Sequence, residues 1–329
     1  MRSFSRTAAV LAASALVLAA CGGSDEAAEP APAAPAASAA PAPAEEAPLS
    51  GEIAIDGSST VAPLTDAIAE EYAALQPDVI VNLSISGTGG GFERFCGVGD
   101  TQFSNASRPI KDSEAELCAS NGIEFTEIRV GTDALTMVTS PDTPDTVACL
   151  TTDEVLRIFG ADGVDTWDQV NPAFPNVPIA IYAPVTDSGT YDFMLSDILD
   201  IEESRQDYNA SADDNIITQG VSGTPGSWGF LRFAYYINNT DAFRSIAYDA
   251  GDGCVSPSVE TAQDGTYLAT RPLFVYVRND ALTDPAVADF ARFYLATVND
   301  VIDEVGYIPA TEAELSGAVD AVEAAISAS

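Results

Sequence analysis

Histidine is absent from all 329 residues, and lysine occurs once, at Lys111. Without histidine there is no serine–histidine catalysis. The single lysine follows no glycine-rich loop, which excludes a P-loop kinase. Positive charge is scarce altogether: 13 basic residues face 50 acidic ones, for a net charge of −37. That balance argues against nucleic acid as a partner and against a cationic membrane-binding face. Long-range steering would repel an anion, so any anion site must work through local, desolvated hydrogen bonds, which salt and bulk charge affect less. Long apolar runs are also missing. The longest, Ala8 to Ala20, is too short to span a bilayer and fits a secretory signal.

The start of the chain reads as an address. Arg2 and Arg6 precede the apolar run, and Leu18-Ala19-Ala20-Cys21 resembles a bacterial lipobox, in which the chain is cut before the cysteine and that cysteine carries the lipid. We expect a signal peptide over residues 1–20, a lipidated Cys21, and an Ala/Pro tether over 21–50. Such a segment has too few bulky apolar side chains to bury a core. Loss of Arg2 and Arg6 with the leader leaves 11 basic and 50 acidic residues, a net charge of −39. The expected location is periplasmic or cell-surface, on a bacterial membrane. Four cysteines remain, Cys96, Cys118, Cys149 and Cys254. An even number in an exported chain implies two disulfides with three possible connectivities. Their spacing matches no zinc site, so we expect no metal and no cofactor.

Three stretches share one design: an apolar strand-like run, a loop of Ser, Thr and Gly, then a helix-like run. They are Ile53 to Asp56 with Gly57-Ser58-Ser59-Thr60, Val79 to Ile85 with Ser86-Gly87-Thr88-Gly89-Gly90-Gly91, and Ile179 to Tyr182 leading to Asp187-Ser188-Gly189-Thr190. Helix N-termini carry unpaired N–H groups and partial positive charge, and glycine lets backbone come close, so such loops suit a small anion. Arg108 is the candidate cation. Helical spacing follows Thr60 at Val61, Leu64, Ile68, Tyr72 and Leu75, and further helix-like runs cover 112–120, 152–159, 191–199 and 285–296. Extended runs cover 125–130, 135–139 and 273–277. Alternating strands and helices predict an α/β protein. In open α/β sheets ligands sit beyond the carboxyl ends of the strands, so two halves facing each other would share one. The runs 124–140 and 271–279 are the candidate connections. Trp167, Trp228 and the Tyr235-Tyr236 pair read as core.

The ordered set of motifs carries a family resemblance. Gly57-Ser58-Ser59-Thr60-Val61, Ser86-Gly87-Thr88-Gly89-Gly90-Gly91-Phe92, Asn105-Ala106-Ser107-Arg108-Pro109-Ile110-Lys111, Thr186-Asp187-Ser188-Gly189-Thr190, Asp214-Asn215, Gln219-Gly220-Val221 and Arg271-Pro272-Leu273-Phe274 together resemble the phosphate-binding proteins of bacterial ABC importers, the PstS family, in lipoprotein form. The resemblance implies a two-domain periplasmic-binding-protein fold of type II, with the ligand cleft between domains joined by two crossover strands. The implied boundaries are 51–131 and 272–329 for domain I and 132–271 for domain II. The implied partners are inorganic phosphate and ABC permease subunits, with no enzymatic activity. The implied ligand residues are Ser59, Thr60, Thr88, Arg108, Asp187, Ser188, Gly189 and Thr190. Within that arrangement the expected disulfides are Cys96–Cys118 and Cys149–Cys254. The sequence departs from better-known members at one place: they have an acid where Arg108 stands, and an arginine just before the fourth loop where this chain has Tyr182-Ala183-Pro184. The charges look exchanged, with Asp187 as acceptor for a ligand proton and Asp56 in reserve.

Four other readings compete. Asp187-Ser188-Gly189-Thr190 matches the pattern around an aspartic-protease carboxylate, but that chemistry needs a second such motif, and none is present. A phosphate-ester hydrolase, a binder of sulfate or molybdate, or an adhesive surface lipoprotein would be separated by turnover and by anion titration.

Overall fold

The computed structural model describes residues 48–328. The expected leader, Cys21 and most of the expected tether lie outside them. Eleven strands are described: β1 (Gly51–Gly57), β2 (Val79–Leu83), β3 (Phe103–Ala106), β4 (Phe125–Thr139), β5 (Cys149–Thr151), β6 (Ala180–Pro184), β7 (Asn209–Ser211), β8 (Ser227–Arg232), β9 (Arg244–Asp249), β10 (Thr270–Arg278) and β11 (Ile308–Pro309). The strand order is β2-β1-β3-β10-β4-β8-β6-β7. β1 runs parallel to β2 and β3, and β6 parallel to β7 and β8. Parallel pairing needs crossover helices, which is why strand and helix alternate along each half.

β4 and β10 are the two elements that both halves share. The two extended runs read at 125–130 and 135–139 form one 15-residue strand, β4. Its first part alternates, with Thr126, Ile128 and Val130 buried; from Val130 to Ser140 every residue is buried. A strand covered on both faces shows no alternation, so the pattern changes at Val130 while the strand continues, along the extended run 124–140 read from the sequence. β10 lies antiparallel to β4 from Arg278↔Phe125 to Thr270↔Ala134, with a register shift at Leu273/Phe274. β11 adds a third strand at this point, pairing Ile308 with Thr132 and Pro309 with Gly131. Gly131 permits it: a Cβ there would lie 2.7 Å from the Ile308 carbonyl oxygen.

Each half has its own core. One gathers Ile53, Leu64, Ile68, Tyr72, Val130, Leu273, Phe290, Tyr294 and Val298 around the helices Ala62–Leu75 and Pro285–Val305. The other gathers Leu135, Phe159, Trp167, Trp228, Phe230, Tyr267 and Ala269. Both tryptophans are fully buried, each large side chain of this kind contributing about 1.5–3 kcal/mol by burial. Tyr235 and Tyr236 are partly buried against a smaller cluster. The run read as a helix at 191–199 is the short helix Gly189–Phe193 widening into a π turn, Met194–Leu199, that ends at Asp200 with φ 50°. The second Gly-rich loop behaves alike: helix Gly87–Phe92, π turn Glu93–Val98, then left-handed Gly99. Nine residues span too few turns for apolar spacing to separate 3.6 residues per turn from a wider one. The disulfides are Cys96–Cys118 and Cys149–Cys254, with Cα separations of 4.2 and 6.0 Å. Each staples one half internally.

Candidate anion-binding site

A cleft of about 250 Å³ opens where the two halves meet β4 and β10. Ser59, Thr60 and Tyr307 line it from the first lobe. Ser188, Gly189, Thr190, Asp214 and Arg232 line it from the second, and Asp133 and Arg271 rise from β4 and β10.

The first loop follows the carboxyl end of β1. Gly57 has φ +139°, and Gly91 lets the second loop pack on it, since a Cβ at Gly91 would lie 2.6 Å from Gly57 Cα. Asp56 ties both loops together. One carboxylate oxygen accepts from the Gly57 amide at 2.7 Å and the Ser86 amide at 3.0 Å, and the other from Arg94 Nη1 at 2.8 Å. The Ser58 amide donates to the Asn105 carbonyl and its hydroxyl accepts from the Thr60 amide. The amides of Ser59 and Val61 make no hydrogen bond among the described residues. In the second lobe the Ser188 hydroxyl accepts from the Thr190 amide, which leaves Gly189, first residue of its helix, with the unpaired N–H that a helix start provides.

The cations come from elsewhere in the chain. Arg271 donates through Nε to Asp133 Oδ2 at 2.9 Å, with Nη2 at the same distance from that oxygen, and Nη2 also donates to the Gly189 carbonyl at 3.4 Å. Its guanidinium lies 4.3 Å from the centre of the Phe193 ring, a cation–π contact that holds the fork flat. Arg232 pairs with Asp214 at 3.2 Å and donates to the Val305 carbonyl at 3.2 Å. Asp133 is buried, and desolvation raises its carboxyl above the ordinary range although Arg271 and Arg232 both oppose that; Asp197 adds to the rise. Only Oδ2 has a protein partner among the described residues.

Comparison with known proteins agrees with this layout. The chain matches the PBP superfamily domain over residues 42–297. It is 43% identical over 262 residues to Protein SphX of Synechococcus elongatus, covering 78% of this chain and 77% of that one. It is 35% identical over 260 residues to the phosphate-binding protein PstS of Staphylococcus saprophyticus, covering 78% and 80%. A crystal structure of a possible phosphate binding protein from Planctomyces limnophilus superposes with a TM-score of 0.80 at 35% identity, over 84% of this chain and 99% of that one. The chain belongs to the PstS family of phosphate-binding proteins. Its architecture is the two-domain, type II periplasmic-binding fold.

Among the PstS-type residues expected from sequence, the cleft brings together Ser59, Thr60, Ser188, Gly189 and Thr190. Asp187 is not among its lining. Thr88 lies off the cleft, its hydroxyl 3.3 Å from that of Ser107 and accepting from the Ser107 amide. Arg108 is placed elsewhere in this structure. Its two terminal nitrogens fork onto Glu114 at 2.8 and 2.7 Å, its guanidinium sits over Phe92, and it too is absent from the lining. The reason is local: Arg108 is extended before Pro109, and the helix Asp112–Ser120 presents Glu114, which also accepts from the Lys111 amide. The reserve acceptor Asp56 is likewise committed to three donors. Sequence reasoning did not single out Arg271, Arg232, Asp133 and Tyr307, which line the cleft. A signal existed for two of them, since Asp133 is the one acid within the apolar stretch Val130 to Val138 and Arg271 opens the second crossover motif.

These carboxylates set a pH response. Burial alone would raise Asp56, but hydrogen bonds from Arg94, Ser86 and Gly57 hold it below the ordinary value; at Glu114 burial is likewise overcome by Arg108 and the Lys111 amide. A depressed carboxylate stabilises the fold above its unfolded pKa and loses that contribution as pH falls through its folded one. Asp133, being raised, acts in the opposite sense. We expect the melting temperature of the ligand-free protein to fall between about pH 5 and pH 3, and Asp56→Asn to flatten that slope. An unchanged slope in the variant would remove Asp56 from the acid response.

Proposed function

We propose that this chain is an extracytoplasmic receptor that captures inorganic phosphate between its lobes and hands it to an ABC permease. One observation carries the reading. In a chain of net charge −37, two arginines and two loops, one from each lobe and with unpaired amides at Ser59 and Gly189, line a single small cleft. Local hydrogen bonds and charge-assisted contacts bind a small oxyanion where the overall field repels it. The proposed ligand set keeps Ser59, Thr60, Ser188, Gly189 and Thr190 and takes Arg271 and Arg232 as its cations. Thr88, Arg108 and Asp187 shape the adjoining loops. The domain boundaries we propose are 51–131 with 272–329, and 132–271, in keeping with the two cores. We also propose a lipid anchor at Cys21 and a receptor role without catalysis. Among the described residues no helix is long and apolar enough to cross a membrane.

Calorimetry on the ligand-stripped protein with phosphate, sulfate and molybdate tests the assignment; phosphate is expected to bind most tightly. A preference for sulfate or molybdate, or turnover of a phosphate ester, would refute it. Solution scattering tests the shared cleft. Phosphate is expected to reduce the radius of gyration as the lobes close. Confirmed binding at unchanged radius would mean that one lobe alone forms the site.

A further inference from the structure

Tyr307 stands between two cavities. It lines the anion cleft, and it also lines a second cavity of about 300 Å³ walled by Phe233, Ile237, Val259, Ile308 and Pro309. Its backbone is held from both sides. Gly306, with φ +94°, ends the helix Pro285–Val305, and the Tyr307 amide donates to the Ile302 carbonyl. The next residue, Ile308, pairs with Thr132 of β4. From this fixed mount the hydroxyl donates to the Thr60 carbonyl at 2.7 Å, a buried bond spanning 247 residues of chain.

That carbonyl belongs to the loop that faces the cleft. In a trans peptide the C=O and the following N–H point opposite ways, and no cis peptide occurs among the described residues. With the Thr60 carbonyl held by Tyr307, the Val61 N–H points the other way, and where that N–H reaches a ligand it attracts an anion that a carbonyl lone pair would repel. The Val61 N–H is unpaired among the described residues, and the Tyr307 hydroxyl occupies the carbonyl. Burial and the nearby Asp133 keep that hydroxyl protonated, against Arg232 and Arg271.

We propose that Tyr307 is a positioning residue for anion binding, holding the Thr60 carbonyl so that the Thr60–Val61 peptide presents its N–H to the ligand. This rests on the phosphate reading above. The Val305–Tyr307 segment also receives Arg232 of the second lobe, through the Val305 carbonyl. The first-lobe loop and a second-lobe cation are thus set by one short piece of chain.

The test compares Tyr307→Phe with Tyr294→Phe in the full mature protein. Both remove one hydroxyl from a buried ring. Tyr294 hydrogen-bonds Thr65 in the first core and does not line the cleft. Phosphate titration by calorimetry is expected to show affinity about tenfold weaker in Tyr307→Phe, the loss of one oriented hydrogen bond, and within about twofold of wild type in Tyr294→Phe. The Val61 amide resonance is expected to move strongly on phosphate addition in wild type and much less in Tyr307→Phe. Near-wild-type affinity in Tyr307→Phe, an equal loss in Tyr294→Phe, or an unchanged Val61 response overturns the proposal. Failure of wild type to bind phosphate would instead overturn the functional reading.

Discussion

Replacing Arg271 with alanine is expected to weaken phosphate binding by about 30- to 1,000-fold, while Arg108→Ala stays within about threefold of wild type. The first figure corresponds to about 2–4 kcal/mol, the usual cost of removing one partner of a desolvated, charge-assisted contact. Two terms act together at Arg271. The ligand loses a forked donor, and Asp133, buried and then without its main counter-charge, repels the incoming anion. Arg271→Lys should fall between, since an ammonium keeps the charge but neither the fork nor the stacking on Phe193. Arg108→Ala should act on the fold: Glu114 loses a bidentate partner and the capped helix Asp112–Ser120 loses support. Calorimetry with thermal unfolding on the three variants separates these outcomes. Equal loss of affinity in Arg108→Ala and Arg271→Ala would mean that closure brings Arg108 to the ligand and that our choice of cation is wrong.

Asp133→Asn is expected to collapse the discrimination between phosphate and sulfate. Near neutral pH phosphate retains at least one proton and sulfate none. A carboxylate in the cleft accepts a hydrogen bond from the first and meets only lone pairs on the second. Sites built around a required hydrogen bond reject the analogue lacking it by about 10⁴-fold or more. Asp133 is placed for this role, because it lines the cleft, both arginines act on it, and one of its oxygens has no protein partner among the described residues. Wild type should favour phosphate over sulfate by about 10⁴-fold, and Asp133→Asn by less than about 10²-fold. Competition calorimetry on both proteins decides it. Selectivity that survives the substitution assigns the acceptor to Asp214 or Asp187 instead.

Much of the site was legible from neighbours in the chain. The loop Asp187-Ser188-Gly189-Thr190 reads as the start of a helix and is one, with Ser188 as its cap; Gly57 and Gly91 read as close-approach glycines and are. Caps and tight turns depend on the few residues beside them, so local sequence suffices. The shared strands were visible as the extended apolar runs 124–140 and 271–279, which contain or overlap β4 and β10. The role of Asp56 was not legible. A carboxylate at the end of a strand next to an anion loop suits ligand and strut equally, and Arg94 on a π turn makes it a strut.

The choice between the two arginines marks the limit most clearly. Arg108 and Arg271 each precede a proline, so each is extended and similarly presented. Sequence determined the loops and the family to which the motifs belong, because these depend on short-range stereochemistry and on ordered patterns. Tertiary structure decided the electrostatics. Glu114, six residues on, claims Arg108, whereas the antiparallel register of β10 on β4 sets Arg271 against Asp133 across 138 residues of chain. A guanidinium goes to whichever carboxylate the backbone brings within about 3 Å, and that distance is a property of strand pairing, which no single stretch of sequence contains.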